Sequence, residues 1–198
     1  MIPHPTRSPG PARSRGFTLV ELMVTVVVLA VLMGIALPSF RKVIVSNKLS
    51  SQSNELLAAL QYARMESVRR NVHVTFCQSA NGTSCATSIT WAGWLITADS
   101  NRNNVDDDAA IRTGTLIDPT VLAASSNISS YRFDFYPDGL ARKGVSGSEL
   151  LNARLRICVK GSDIQIRPNA RDISIVSGSR MFIEQNQSAT CAAPGNPS

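Results

Sequence analysis

The chain has 198 residues, 43% of them hydrophobic and 17% charged, with 20 lysines and arginines against 14 acids. That length allows one globular domain plus a membrane segment and nothing larger. The formal charge of +6 does not by itself argue for nucleic-acid binding, because Arg7, Arg13 and Arg15 lie in the first 16 residues and the stretch from Val72 onward balances 11 basic against 11 acidic residues.

Residues 1–16 form a short, basic, Pro-rich leader without an acid. Phe17 to Leu37 follows as an apolar run of 21 residues, which as a helix measures about 31 Å and spans a hydrocarbon core. The only ionisable group inside it is Glu21, and a carboxylate at that depth is costly unless it finds a cationic partner. A secretory signal has a shorter apolar region with its cut after it. Here the cut is expected before the run, so the anchor survives processing. The leader arginines favour a cytoplasmic start, and Arg41 and Lys42 weaken that bias without reversing it.

Pro38 removes one backbone donor and is expected to kink the helix or end it locally. Beyond it, residues 38–71 resume a helical pattern, with Leu49, Leu56, Leu57, Leu60, Ala63 and Val68 at three- and four-residue spacings. This predicts an amphipathic second half that needs a domain to pack on.

After Arg70 the pattern turns to alternation. Strands are expected at Val72–Cys77, Ile89–Ala98, Ile111–Ile117, Ser130–Tyr136, Ala153–Val159, Ile164–Arg167, Asp172–Val176 and Met181–Glu184, with Gly-containing turns between them. Many short strands after one long helix predict an α+β fold, a lollipop in which a long N-terminal helix packs on an antiparallel β-sheet head at 72–191. Residues 192–198 read as a flexible Ser/Pro/Gly-rich tail. All four cysteines lie beyond the apolar run, which suits an oxidising compartment. Three pairings are open. Cys77 with Cys85, flanking Asn81-Gly82, is the easiest to close, and it leaves Cys158 with Cys191.

Catalysis has little support. His73 is the one histidine outside the leader, and no Ser/His/Asp or Cys/His set assembles around it. No phosphate-cradling Gly loop is present, and no cofactor is expected. In Asp99 to Asp108, Asp99, Asn101, Asn103 and Asp107 match calcium-loop positions, but Asn104 replaces the turn glycine and Ala110 the bidentate acid. The segment reads as a solvated acidic loop, and no metal site is assigned. From Arg142 to Arg180 eight basic residues face three acids, among them Lys160, Arg167, Arg171 and Arg180. They could meet nucleic-acid phosphates, or serve as outward strand residues that keep a sheet edge soluble.

Gly16-Phe17-Thr18-Leu19-Val20-Glu21 resembles the processing site of type IV prepilins and type II secretion pseudopilins. The resemblance implies cleavage after Gly16 by a prepilin peptidase and N-methylation of Phe17. It also implies a role for Glu21 in neutralising the N-terminal amine of a neighbouring subunit. Leu57 to Ser67, then Val72 to Cys77, Trp91-Ala92-Gly93-Trp94, Asp99 and Phe135 to Gly139, resemble in order the GspH/FimT family of minor pilins and pseudopilins. That family implies an assembly or tip subunit with no enzymatic activity. Its partners would be other pilins or pseudopilins, and its place the bacterial inner membrane, head in the periplasm, and then a filament. Some related pseudopilins bind calcium. FimT-like members are associated with DNA uptake through Gly-Arg-x-Arg, whereas this chain has Gly178-Ser179-Arg180-Met181 and lacks the second arginine. Type IV pilus and type II secretion system stay open at this point.

Overall fold

The computed structural model describes residues 16–86, 91–101, 103, 108–116, 120–128, 131–144, 147–159 and 166–197. Residues 1–15 of the leader, Lys160, Asp106 and Asp107 lie outside the described residues. The chain divides between Phe40 and Arg41 into two compact units, and helix α1, Leu19–Arg70, runs through the division.

In the first unit Thr18 stands just before α1, and its Oγ1 accepts the backbone N–H of Glu21 at 3.3 Å. This is how a Thr-x-x-Glu start satisfies one orphan donor of a first turn. The large apolar side chains from Leu19 to Leu37 all remain more than half exposed. The helix does not end at Pro38, although the proline nitrogen cannot bond the Gly34 carbonyl.

In the second unit α1 presents Val45, Leu49, Leu56, Ala59, Leu60 and Ala63 to the core. These positions recur every three or four residues and so share one face. The stripe differs from expectation at its end: Val68 is 54% exposed, and the position four beyond Ala63 is Ser67, fully buried. Its hydroxyl donates to the carbonyls of Arg64, at 2.8 Å, and Tyr136, at 2.9 Å, so the burial leaves no unmet donor.

Nine strands follow: β1 His73–Gln78, β2 Gly93–Asp99, β3 Arg112–Thr115, β4 Thr120–Ala124, β5 Arg132–Phe135, β6 Ala141–Arg142, β7 Ala153–Val159, β8 Ala170–Val176 and β9 Arg180–Asn186. They form two antiparallel sheets, ordered β3-β2-β1-β5-β6 and β4-β7-β8-β9. β4 was not anticipated. Its sequence, TVLAA, has no alternation, and only Leu122 is buried. Of the strand expected at Ile164–Arg167, residues 164 and 165 lie outside the described residues, and Ile166 and Arg167 belong to no strand.

Both sheets and the second half of α1 share one hydrophobic cluster. At its centre Phe76 packs against Trp94 (5.5 Å between ring centroids), Phe133 (5.8 Å) and Trp91 (6.2 Å). Trp94 pairs across β2 and β3 with Gly114, where a Cβ would stand 2.4 Å from the indole. A side chain at 114 would evict the largest aromatic of the core. The two sheets meet through backbone bonds at one corner: Ala141 N–H donates to Gly178 O at 2.7 Å, and Gly178 N–H to Leu151 O at 2.9 Å. Gly178 has φ +66°, and a Cβ there would lie 2.4 Å from Ala141 O, so the turn requires glycine on both counts.

Cys77 is bonded to Cys85, and Cys158 to Cys191. The second bridge docks the C-terminal segment on β7 and β8, where Cys158, Ala170 and Cys191 pack together. Residues 192–197 make contacts with the head. Arg156 Nη1 donates to Ala192 O at 3.2 Å, Asn196 Nδ2 donates to Ser126 Oγ at 2.9 Å, and Pro194 and Pro197 are buried. The composition of the tail signals turns, but its prolines carry apolar surface that the sheet covers.

Candidate assembly segment and charged head surfaces

Gly16, Phe17 and Thr18 precede the helix and are exposed, Phe17 by 79%. No atom lies within 4 Å of where a Cβ on Gly16 would be. The backbone around Gly16 is therefore open to a protease. Glu21 falls in the first turn of α1, where the helix dipole favours a negative charge. It too is exposed, and no ion pair reaches it among the described residues. The arrangement leaves a carboxylate on a bare apolar rod, one turn from a chain start that cleavage after Gly16 would create.

At the other end of α1 three arginines have partners in the fold. Arg64 Nη1 donates to Ser179 O at 2.9 Å, holding the β8–β9 turn. Arg69 forks onto both Glu66 oxygens, at 3.0 and 2.6 Å, and Arg70 Nε donates to Oε2 at 2.6 Å. Their hydrogen bonds, that of Arg69 first, hold the Glu66 carboxyl at about 2, below the ordinary 4.5. The spacing i, i+3 and i, i+4 on a helix was the available signal.

His73 lies in β1 with Nε2 3.8 Å from Asp134 Oδ1 and its ring 4.7 Å from Tyr136. Asp134 Oδ1 already accepts Thr75 Oγ1 at 3.0 Å and Arg132 Nε at 2.7 Å. This buried network ties β5 to β1 and holds no nucleophile positioned by a base. Burial raises the Tyr136 phenol above its ordinary value, and its oxygen accepts the Gly147 N–H at 3.1 Å.

In the acidic loop, Asp99 Oδ1 and Asn101 Oδ1 both accept the Asn103 N–H at 3.0 Å, and Asp108 Oδ2 accepts the Ser100 N–H at 2.7 Å. Of the residues that match calcium-loop positions, Asp99 and Asn101 each have an oxygen engaged by the loop's own backbone, and Asp107 lies outside the described residues. Among the described residues no group of three or more His, Cys, Asp or Glu could hold a metal ion.

The basic residues of the last third are not one surface. Arg156 is paired bidentately with Asp172, at 2.7 Å on both oxygens, which raises its already high value. Arg154 lies 3.5 Å from Glu184, and Arg142 pairs with Asp138 at the Pro137–Gly139 turn. Burial opposes ionisation of Asp138, but the Arg142 guanidinium and the Leu140 N–H outweigh it and keep the carboxyl low. Arg171, a candidate for phosphate contact, is instead 7% exposed. It pairs in register with Ile157, whose side chain belongs to the core, so it shares the inward face of the sheet. Its Nη1 donates to Pro168 O at 3.3 Å and Ala170 O at 3.0 Å, and burial lowers its value. Arg180 stands opposite Val176 at the far end of β8, about 17 Å along the strand from Arg171, and lies over Phe182. Arg167 stays with Arg171 and away from Arg180.

Residues 52–187 match the family described as type II transport protein GspH, and residues 11–37 match the prokaryotic N-terminal methylation motif. No curated protein matches the sequence. Among solved structures the chain is similar to the type IV minor pilin FimU of Pseudomonas aeruginosa strain PAO1 in two crystal forms. One has 21% identity, a TM-score of 0.48 and coverage of 72% of this chain and 99% of that one. The other has 22% identity, a TM-score of 0.49 and coverage of 74% and 96%. The match to GspH takes in the second half of α1 and every strand, and the methylation motif ends at Leu37 with the apolar run, so the chain belongs to the GspH family of pilin-like proteins and starts with that family's N-terminal signature.

Proposed function

We propose that this chain is a minor subunit built into a type IV pilus or a type II secretion pseudopilus. It enters the inner membrane with its head in the periplasm, is cleaved after Gly16 by a prepilin peptidase, and is methylated on the new amine of Phe17. The observation that carries the reading is Glu21 in the first turn of an apolar helix whose large side chains, from Leu19 to Leu37, are all more than half exposed among the described residues. Such a surface is stable only in lipid or against like helices. Glu21 selects among those packings. Removed from water, it is stabilised only when a cation comes into contact, and the Phe17 amine of a second copy is the cation that processing supplies. Pro38 loosens the backbone bonding at the end of the packed segment. The disulfides keep a loop-rich head folded outside the cytoplasm.

The test is the mature N-terminus and the fate of Glu21→Ala. Mass spectrometry of the native protein is expected to show a chain beginning at methylated Phe17. Glu21→Ala is expected to fractionate with membranes as the native chain does but to be absent from sheared fibres. Retention of Met1, a cut beyond Leu37, or normal incorporation of the variant would each overturn the reading.

A further inference from the structure

In the second unit the stretch Lys42–Asn47 of α1 faces the segment that leads into β8. Between them lies a notch of approximately 310 Å³ lined by Lys42, Val43, Ser46, Asn47, Ile166 and Arg167. Ile166, 7% exposed, contributes apolar surface at the base, and Lys42 and Arg167 are exposed. Among the described residues no ion pair engages either cation. Arg171, whose guanidinium holds the carbonyls of Pro168 and Ala170, fixes the segment and adds a buried positive charge with no carboxylate partner among the described residues. Elsewhere in the head most arginines meet an acid: Arg132, Arg142, Arg154 and Arg156 all do. At this end of the sheet Lys42, Arg167 and Arg171 gather positive charge that asks for an anion.

We infer that this notch takes the phosphate headgroup of an anionic phospholipid, with Lys42 and Arg167 as its two cationic walls and Ser46 and Asn47 offering hydrogen bonds to the glycerol part. The inference rests on the reading of Phe17–Leu37 as a membrane span. Lys42 is five residues beyond Leu37 on the same helix, less than two turns, which is where the headgroup layer begins. Basic side chains next to a span draw anionic lipid, each worth about fivefold in binding. Duplex DNA is the poorer fit. It would need a track of phosphate contacts, and the next exposed cation of the strand pair, Arg180, stands at the opposite end of β8.

The experiment uses the full chain in an uncharged detergent, titrated with phosphatidylglycerol or phosphatidylcholine of the same acyl length and read as lipid adducts by native mass spectrometry. Phosphatidylglycerol is expected to bind in preference. Lys42→Gln with Arg167→Gln should lower that preference about 25-fold. Lys42→Arg with Arg167→Lys should retain it, as should Arg180→Gln. Equal uptake of the two lipids by the native chain, or an unchanged preference in the double glutamine variant, would overturn the assignment. So would displacement of the lipid by millimolar inorganic phosphate, or a loss of duplex-DNA retention on Arg167→Gln. Carbonate extraction of the same variants reads the span separately, so a failed lipid site is distinguishable from a failed anchor.

Discussion

Single residues here work through neighbours that are close in space and only sometimes close in sequence. Glu66 is the simplest case, since its two arginines lie three and four residues on along the same helix. Its folded value of about 2 lies below the ordinary 4.5, so the pair's contribution is complete above pH 4.5 and is lost as pH falls through about 2. Both arginines are partly exposed, 65% and 37% at the side chain, which discounts the stabilisation to about 1 kcal/mol. Glu66→Gln is therefore expected to unfold at lower urea than the native chain at pH 7, with the gap closing between pH 4.5 and 2. A gap independent of pH would place the effect in packing rather than charge. Gly114 and Gly178 are less legible: nothing in the sequence says that one faces an indole and the other a carbonyl across a sheet corner.

At the scale of elements, the two bridges differ in what they constrain. Cys77–Cys85 closes a separation of 8 residues and Cys158–Cys191 one of 33. Loop-closure entropy assigns them about 2.5 and about 3.7 kcal/mol. Replacing the second pair by alanine is expected to cost about 1 kcal/mol more than replacing the first, measured by urea unfolding. Its loss should also release residues 192–197 to proteolysis. Equal costs would refute the loop-closure account of the difference. The core stripe of α1 was readable because three- and four-residue spacing survives any tertiary context, and the error at Val68 came from choosing the apolar residue over the one that continued the period. β4 escaped because its pairing with β7, not its own pattern, makes it a strand.

At the scale of the molecule, the described head cations include arginines paired with acids, an exposed Arg180 over Phe182 and a basic notch beside α1. With 11 basic and 11 acidic residues from Val72 onward, the head has no net field to draw DNA. In a gel-shift assay the full chain in detergent is expected to leave a short duplex unretarded at 150 mM salt. Retention at that salt, lost on Arg180→Gln, would revive the DNA-binding alternative.

The sequence by itself determined the N-terminal methylation motif, the apolar run, the helix face and the count and spacing of cysteines, because each rests on chemistry or periodicity carried within a few residues. Only the tertiary structure decided that β1 lies between β2 and β5 while β4 joins the other sheet, that Arg171 faces inward, and that Arg167 meets Lys42 across 125 positions of chain. Such pairings depend on which apolar faces cover one another once the chain has folded, and that balance is struck between segments far apart in sequence.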